Sequence, residues 1–179
     1  VKAYTRTYGL KTVIANPCNN YGPNQFPEKF IPKIIFNILN NRPLPLYGNG
    51  KNVREWIFVK DNCEALLKIF LKGKIGQNYN IGTGIQLKNI EILNKILTIA
   101  KKNKIKIGNK NKIQFVVDRP GHDKRYAVNS NKIKREIKWK NKTSISSGLV
   151  KTFIWYSKNF NFFKKISRKN ITKRFGLKV

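Results

Sequence analysis

The chain has 179 residues and carries 38 Lys plus Arg against 8 Asp plus Glu, a formal net charge of +30. A hydrophobic fraction of 40% and an aromatic fraction of 12% exclude a wholly disordered chain, and this length is enough to bury a core. The basic residues are spread along the whole chain, which weakens an interpretation as a nucleic-acid binder. The absence of Met indicates a piece of something longer.

Helical and extended patterns alternate in the first part of the chain. Residues 1–8 are predicted to end a helix that Gly9 stops, and residues 11–16 form a short buried strand. After an Asn-, Gly- and Pro-rich loop, a helix is predicted from apolar residues at helical spacing: Ile31, Ile34, Ile35, Ile38 and Leu39. Strands are predicted over 44–47 and 53–59, with a tight turn at 48–50 between them.

The same alternation continues to about residue 159. Asp61 is expected to cap a helix whose buried face is Cys63, Leu66, Leu67 and Phe70. The remaining predictions are strands over 78–81 and 113–117, a charged loop over 118–126, and helices over 88–102, 131–137 and 144–159. Strands that alternate with helices predict an α/β fold. With only about four strands, the pattern is less than a complete doubly wound sheet.

Two motifs imitate parts of a cofactor site. Gly82-Thr83-Gly84 follows a strand and precedes a helix, but Leu87 takes the place of the third glycine of a dinucleotide fingerprint. Tyr47 and Lys51 have the spacing of a catalytic Tyr/Lys pair, but two glycines lie between them, so they do not share a helix face. We therefore expect no catalytic residue from these motifs. Two thiols and one histidine also give no metal site.

Polar loops carry the functional signal. Asn19-Asn20-Tyr21-Gly22-Pro23 follows the end of a strand, where open α/β sheets bind ligands. The loop from Asp118 to Tyr126 holds two of the eight acidic residues, and its Arg119 offers a planar fork suited to phosphate oxygens. Arg54 lies on a predicted strand and faces either a ligand or water.

Together these loops resemble the dTDP-glucose 4,6-dehydratases, which are extended short-chain dehydrogenase/reductases. The segments that carry the resemblance are Asn19 to Pro23, Phe26 to Pro32, Pro45 to Gly48, Arg54 to Trp56, Tyr79 to Gly82, and Asp118-Arg119-Pro120-Gly121-His122-Asp123. The resemblance covers roughly residues 1–159. It implies the carboxyl-terminal half of such an enzyme: the last part of a Rossmann-type parallel sheet plus a smaller α/β substrate-binding domain.

The resemblance also implies a division of labour. The glycine-rich NAD loop, the acid/base pair and the Tyr-x-x-x-Lys of the family all lie upstream of Val1. In the whole enzyme NAD takes a hydride from C4 of the glucose, water is lost across C5 and C6, and the hydride returns to C6. What this chain supplies is binding, so we expect it to have no dehydratase activity alone. Its partners are then a dTDP-sugar and the missing amino-terminal Rossmann half.

Residue roles follow from the resemblance alone. Asn20 contacts NAD and Asn19 the substrate, while Arg54 and Arg119 neutralise the pyrophosphate. The remaining substrate-binding residues implied are Lys29, Pro45, Leu46, Tyr47, Asn89, Asp118, Pro120, Gly121 and His122. Glu55 departs from the family, which has Asp beside this arginine.

The implied domains are the end of the Rossmann domain over 1–17 and a mainly substrate-binding domain over 18–159, with 53–73 returning to the Rossmann sheet. A basic tail follows over 160–179, which we expect to be frayed, the alternative being a helix that docks on a membrane surface or a partner. Cys18 and Cys63 are expected to be reduced thiols, which places the protein in the cytoplasm.

Other functions stay open at this point. A UDP-sugar epimerase or decarboxylase of the same extended family would share the Asn-x-Tyr-Gly-Pro motif. A basic nucleic-acid-binding domain would explain the charge, although the body of the chain lacks clustered basic residues with stacking aromatics. Family members are typically homodimers, and a homodimer is left open here.

Overall fold

Two parallel strands and the helices beside them form the first of two structural units. The computed structural model describes residues 1–118, 120–164 and 166. The first unit comprises Val1–Asn20, Arg54–Gln86 and Tyr126–Ile145. In it, β1 (Ile14–Pro17) pairs in parallel with β5 (Asn78–Ile81), with Ile14 opposite Asn78 and Pro17 opposite Ile81.

Helices of the first unit flank this pair of strands. Helix α1 (Lys2–Tyr8) ends at Gly9, whose φ of 65° is the left-handed conformation that glycine adopts without strain. Helix α3 (Val59–Lys72) follows strand β4 (Val53–Phe58). A single π-helical turn (Ile133–Ile137) stands where the sequence predicted an α-helix over 131–137, and Lys138, at φ 55°, ends it.

The core of the first unit lies between these strands and helices. Its members are Cys18, Ile57, Ala65, Ile69, Tyr79, Ile81, Ile133, Ile137 and Trp139. Tyr79 is fully buried, and its hydroxyl donates to Glu136 Oε2 at 3.1 Å while it accepts from the backbone N–H of Lys74 at 3.1 Å. These bonds fix the π-helical turn to the exit of α3, because Tyr79 contacts both.

Helix α3 corrects two predictions. The helix begins at Val59, so Asp61 lies inside its first turn and does not cap it; its carboxylate accepts three hydrogen bonds from Lys142 and Thr143 instead. The helix also buries Ala65 and Ile69 rather than the predicted face. Leu67, Phe70 and Leu71, at 59%, 82% and 66% exposure, lie on the open side.

The second unit comprises Tyr21–Val53, Leu87–Arg125 and Ser146–Val179, as far as these residues are described. Strands β3 (Leu44–Tyr47) and β7 (Ile113–Val116) pair in parallel, with Leu44 opposite Ile113. Helix α2 (Phe30–Leu39) packs on α4 (Asn89–Lys102), and both bury one isoleucine- and leucine-rich face as predicted. Helix α5 (Ile145–Lys158) and the short α6 (Asn161–Lys164) complete the described part.

An aromatic cluster holds α6 in place. The Phe163 ring is 2% exposed, and its centroid lies 4.9 Å from that of Phe36 and 5.0 Å from that of Tyr156. The expectation of a frayed tail is therefore wrong for residues 160–164, because these aromatic side chains bury against α2 and α5. Residues 165 and 167–179 of the predicted tail lie outside the described residues.

Apart from a passage at the start of α5, the chain passes between the units within four short strands, of which the sequence predicted one. These are β2 (Asn19–Tyr21), β4, β6 (Gln86–Lys88) and β8 (Arg125–Tyr126). The predicted strands 44–47 and 78–81 are confirmed to the residue. Within the described part of the chain, none of the helices has the length and apolar character needed to cross a bilayer.

Candidate functional site

A tight turn after β3 forms one side of a polar cluster in the second unit. Gly48 has φ 54°, and its N–H donates to Val116 O at 2.8 Å. A Cβ at this position would lie 3.1 Å from Asp118 Oδ2. Glycine thus lets the turn approach the loop that follows β7, where the sequence predicted binding residues.

Asp118 and His122 pair within that loop. His122 Nδ1 lies 2.5 Å from Asp118 Oδ1, and the imidazole side chain is 7% exposed against 38% for the carboxylate. The Tyr47 ring meets the imidazole edge to face, with 5.9 Å between centroids. The structure therefore brings together three residues that the sequence predicted, Tyr47, Asp118 and His122.

Asn52 is a buried member of this cluster that the sequence analysis did not single out. Its side-chain Nδ2 lies 3.3 Å from His122 Nδ1 and 3.4 Å from Asp123 O. Its backbone carbonyl accepts from the N–H of Asn89, the predicted ligand-binding residue at the start of α4, at 3.1 Å. A chain this rich in asparagine gives no local signal for such a residue, since its partners lie far away in the sequence.

The other predicted residues of the second unit occupy varied surroundings. Pro45 and Tyr47 are half-buried, while Leu46 is fully buried on the opposite face of the strand, against Gly50. Lys29 precedes α2, and its Nζ lies 2.7 Å from Glu28 Oε1. Pro120 and Gly121 continue the loop, Gly121 with φ 65°. The predicted Arg119 lies outside the described residues.

Neighbouring strands of the first unit carry the remaining predicted residues. Asn19 and Asn20 lie on β2, beside β4 with Arg54. Asn20 Nδ2 donates to Cys18 O at 3.1 Å, which holds the carboxamide at the end of β1. Arg54 is 7% exposed. Its guanidinium stays charged when buried, so it places a fixed cation on this strand.

The Gly82-Thr83-Gly84 turn, which resembles part of a dinucleotide fingerprint, is held by the side chain of Glu55. Its carboxylate is fully buried and accepts from Gly84 N at 2.7 Å through Oε1 and from Val128 N at 2.9 Å through Oε2. A Cβ on Gly82 would collide with that carboxylate and with Val128. The N–H that a phosphate would need in this turn is thus bonded to Glu55, and the turn is structural.

Ionisation of Cys18 is suppressed beside this site. Burial, followed by the nearby charge of Glu55, raises the pKa of the Cys18 thiol from 9.0 to about 12. The thiol is therefore not a nucleophile at neutral pH. Among the described residues, no three His, Cys, Asp or Glu side chains are grouped closely enough to hold a metal ion.

Comparisons with known proteins agree with this picture. Residues 1–152 match the family model described as GDP-mannose 4,6 dehydratase. The Escherichia coli dTDP-glucose 4,6-dehydratase is 43% identical over 170 residues, which cover 93% of this chain and 46% of that protein. The chain thus spans about half the length of the curated relatives it matches.

Solved structures give the same result. The dTDP-glucose 4,6-dehydratase DesIV of Streptomyces venezuelae, crystallised with NAD bound, has a TM-score of 0.83 and 40% identity, covering 90% of this chain and 48% of that one. The dTDP-glucose 4,6-dehydratase of Bacillus anthracis, in complex with NAD, has a TM-score of 0.84 and 40% identity, covering 93% and 51%. The predicted α/β fold of the extended dehydrogenase/reductases is confirmed.

Proposed function

Since this chain belongs to the GDP-mannose 4,6 dehydratase family, we propose that it is the nucleotide-sugar-binding half of a dTDP-glucose 4,6-dehydratase. The observation that carries the proposal is the Asp118–His122 pair closed against Tyr47 and Gly48. This cluster joins the turn after β3 to the loop that the resemblance assigns to the nucleotide. A preformed loop of this kind lowers the entropy cost of binding.

Within the second unit, Tyr47 and Pro45 share the half-buried face of β3 and are proposed to contact the nucleotide. Lys29, Asn89, Pro120, Gly121 and Arg119 complete the proposed substrate set there, and Leu46 supports it from the core. Lys29 precedes a helix whose first N–H groups favour an anion. Asp118 and His122 shape the loop rather than supply the charge.

In the first unit, Arg54 is proposed to neutralise the diphosphate and Asn19 to contact the sugar. Asn20 is proposed to contact NAD, which, when bound, would take up a hydride from the sugar and return it. The held carboxamide of Asn20 fits a hydrogen-bonding role toward a cofactor amide, because it both donates and accepts. The segment 1–17 is proposed as the end of a Rossmann domain, with 53–73 returning to it.

A further α/β half is proposed to cover the first unit. Parallel sheets are found with both faces covered, and the first unit contains the parallel pair β1 and β5. The exposed side of α3 is apolar, and α1 buries none of its residues. We propose that the part of the relatives that this chain does not span, about half of their length, supplies this cover.

The proposal is tested by calorimetric binding to the 179-residue chain. We expect dTDP-glucose to bind and UDP-glucose to bind at least about tenfold more weakly, with no conversion of dTDP-glucose to product. Preference for UDP-glucose would instead indicate an epimerase or decarboxylase. Tight binding to DNA that falls steeply with salt would indicate a nucleic-acid binder. Turnover of dTDP-glucose would contradict the proposed lack of activity.

Matched arginine variants refine this test. Arg54→Lys keeps the charge but loses the planar fork, so dTDP-glucose binding should weaken about tenfold while dTMP binding changes less. Arg135→Lys is the control, because the Arg135 side chain is 74% exposed and lies 3.6 Å from Glu136 at the surface of the first unit. Equal effects of the two substitutions would contradict the role given to Arg54.

We also propose a cytoplasmic location for the protein, since both cysteines are free thiols.

A further inference from the structure

We propose that Asn52 is a positioning residue that holds the described residues of the loop after β7, 118 and 120–123, in their ligand-binding conformation. The role rests on the proposed binding of a nucleotide sugar and adds to it a residue that makes no contact with the ligand itself. Asn52 is 9% exposed and lies just before β4, outside the described helices and strands. Its contacts instead run to a loop about seventy residues further along the chain.

Three segments of the second unit meet at this residue. The side-chain Nδ2 contacts His122 Nδ1 and Asp123 O at 3.3 and 3.4 Å. The backbone carbonyl accepts from Asn89 N at 3.1 Å, and the next residue, Val53, donates its N–H to Lys124 O at 2.9 Å. Asn52 thus joins the turn after β3, the start of α4 and the loop after β7.

The carboxamide complements the Asp118–His122 pair. A carboxylate oxygen only accepts, so His122 Nδ1 donates to Asp118 Oδ1 at 2.5 Å. Asn52 Nδ2 then lies beside the ring, 3.3 Å from Nδ1, and donates to Asp123 O at 3.4 Å. The side chain therefore stabilises the loop through the backbone of Asp123 and through packing against the imidazole.

An aspartate at this position would remove both donors and add a second carboxylate near Asp118. The like charges would repel, and Asp123 O would lose its partner. We therefore expect Asn52→Asp to loosen the loop while leaving the core of the second unit, built from α2 and α4, intact. Asn52→Ala removes the donors without the charge, and it separates the two effects.

The experiment uses hydrogen exchange and calorimetry on the full chain. In Asn52→Asp and Asn52→Ala, amide exchange over 118–124 should accelerate at least about tenfold without ligand, and dTDP-glucose affinity should fall about tenfold or more. Asn49→Asp is the matched control: it adds the same charge to an exposed position of the same turn and keeps the oxygen that accepts from Lys51 N at 3.0 Å. Neither quantity should change there.

A double-mutant cycle with His122→Ala tests whether Asn52 and His122 stabilise the same loop conformation. The loss of dTDP-glucose affinity in Asn52→Ala/His122→Ala should be smaller than the sum of the two single losses, because both side chains hold the same loop. Additive losses would overturn the proposal, as would unchanged exchange in the loop or loss of folded structure in both Asn52 variants. If the unsubstituted chain binds no dTDP-glucose, the proposed function fails, whereas the exchange result still decides the role of Asn52 in the loop.

Discussion

The two units hold their polar groups in different ways. In the first unit, buried charges such as Glu55 and Asp61 accept hydrogen bonds from backbone N–H groups of distant loops. In the second, the Asp118–His122 pair and Asn52 are tied mainly by side chains. Backbone bonds to a carboxylate support the fold directly, whereas side-chain pairs on loops set the conformation of a site.

The units also differ in how fully they cover their apolar surfaces. The second unit buries its described carboxyl-terminal helix α6 against Phe36 and Tyr156. The first leaves Phe70 and Leu71 of α3 open to solvent. A face of this kind lowers solubility until another surface covers it, which agrees with a chain that spans about half the length of its relatives.

The largest expected effect is loss of the second unit's aromatic cluster. Phe163→Ala should lower the free energy of unfolding by about 3 kcal/mol, since a ring that contacts Phe36 and Tyr156 leaves a cavity. Phe115→Ala, at a ring that is 60% exposed, should change it by less than about 0.5 kcal/mol. Urea unfolding followed by circular dichroism measures both. Equal effects would show that α6 adds nothing to the core.

A smaller effect is expected from the buried carboxylate of the first unit. Glu55→Gln keeps the shape but has one oxygen, so either Gly84 N or Val128 N loses its acceptor. The free energy of unfolding should fall by about 1–3 kcal/mol. Glu64→Gln is the control: it breaks only ion pairs with Lys68 and Lys142 at the surface of α3, so it should lower the urea midpoint much less than Glu55→Gln. A midpoint that stays put in both variants would mean that Glu55 does not fix these loops.

A surface substitution in the first unit should change association more than stability. Phe70→Ser replaces an 82% exposed ring, so the free energy of unfolding should change by less than about 0.5 kcal/mol. Sedimentation velocity should show less self-association than in the unsubstituted chain, because the open apolar face is smaller. Ile69→Ser, on the buried side of the same helix, should instead destabilise strongly. If Phe70→Ser lowered the free energy of unfolding more than Ile69→Ser, the buried helix face that the sequence predicted would be correct.

The helix α3 shows why the sequence was a partial guide. Its apolar residues Leu66, Leu67 and Phe70 have the correct spacing for a buried face, yet Ala65 and Ile69 are the residues that pack on the core. Periodicity marks a face that some partner covers, and it does not say whether that partner belongs to the described chain. Asp61 was misjudged for a similar reason, since its partners Lys142 and Thr143 lie far away in the sequence.

Short-range patterns were more reliable. The strand Asn78–Ile81 and the helix Asn89–Lys102 follow from local apolar spacing, and their bounds agree with the prediction within a residue. Strand β8, two residues long, is too short to show a period. The residues of the candidate site differ in the same way. His122 lies in a recognisable sequence motif and could be predicted, whereas Asn52 is identified only by contacts that form on folding.

The smallest expected effect is a difference in chemical reactivity between the two thiols of the first unit. Cys63 is exposed, whereas Cys18 is buried with a pKa raised to about 12. At pH 8, iodoacetamide should therefore modify Cys63 and leave Cys18 unmodified until urea unfolds the chain, as read by mass spectrometry. Equal labelling of both thiols in the folded chain would show that the end of β1 opens readily, and the hydrogen bond from Asn20 to Cys18 O would then not hold the carboxamide in place.

The raised pKa of Cys18 also makes the stability of the protein depend on pH. The folded protein keeps a proton on the Cys18 thiol that the unfolded chain loses above about pH 9. The resulting contribution to the free energy of unfolding is present below pH 9 and declines as the pH rises toward 12, and Cys18→Ser should remove that part of the decline.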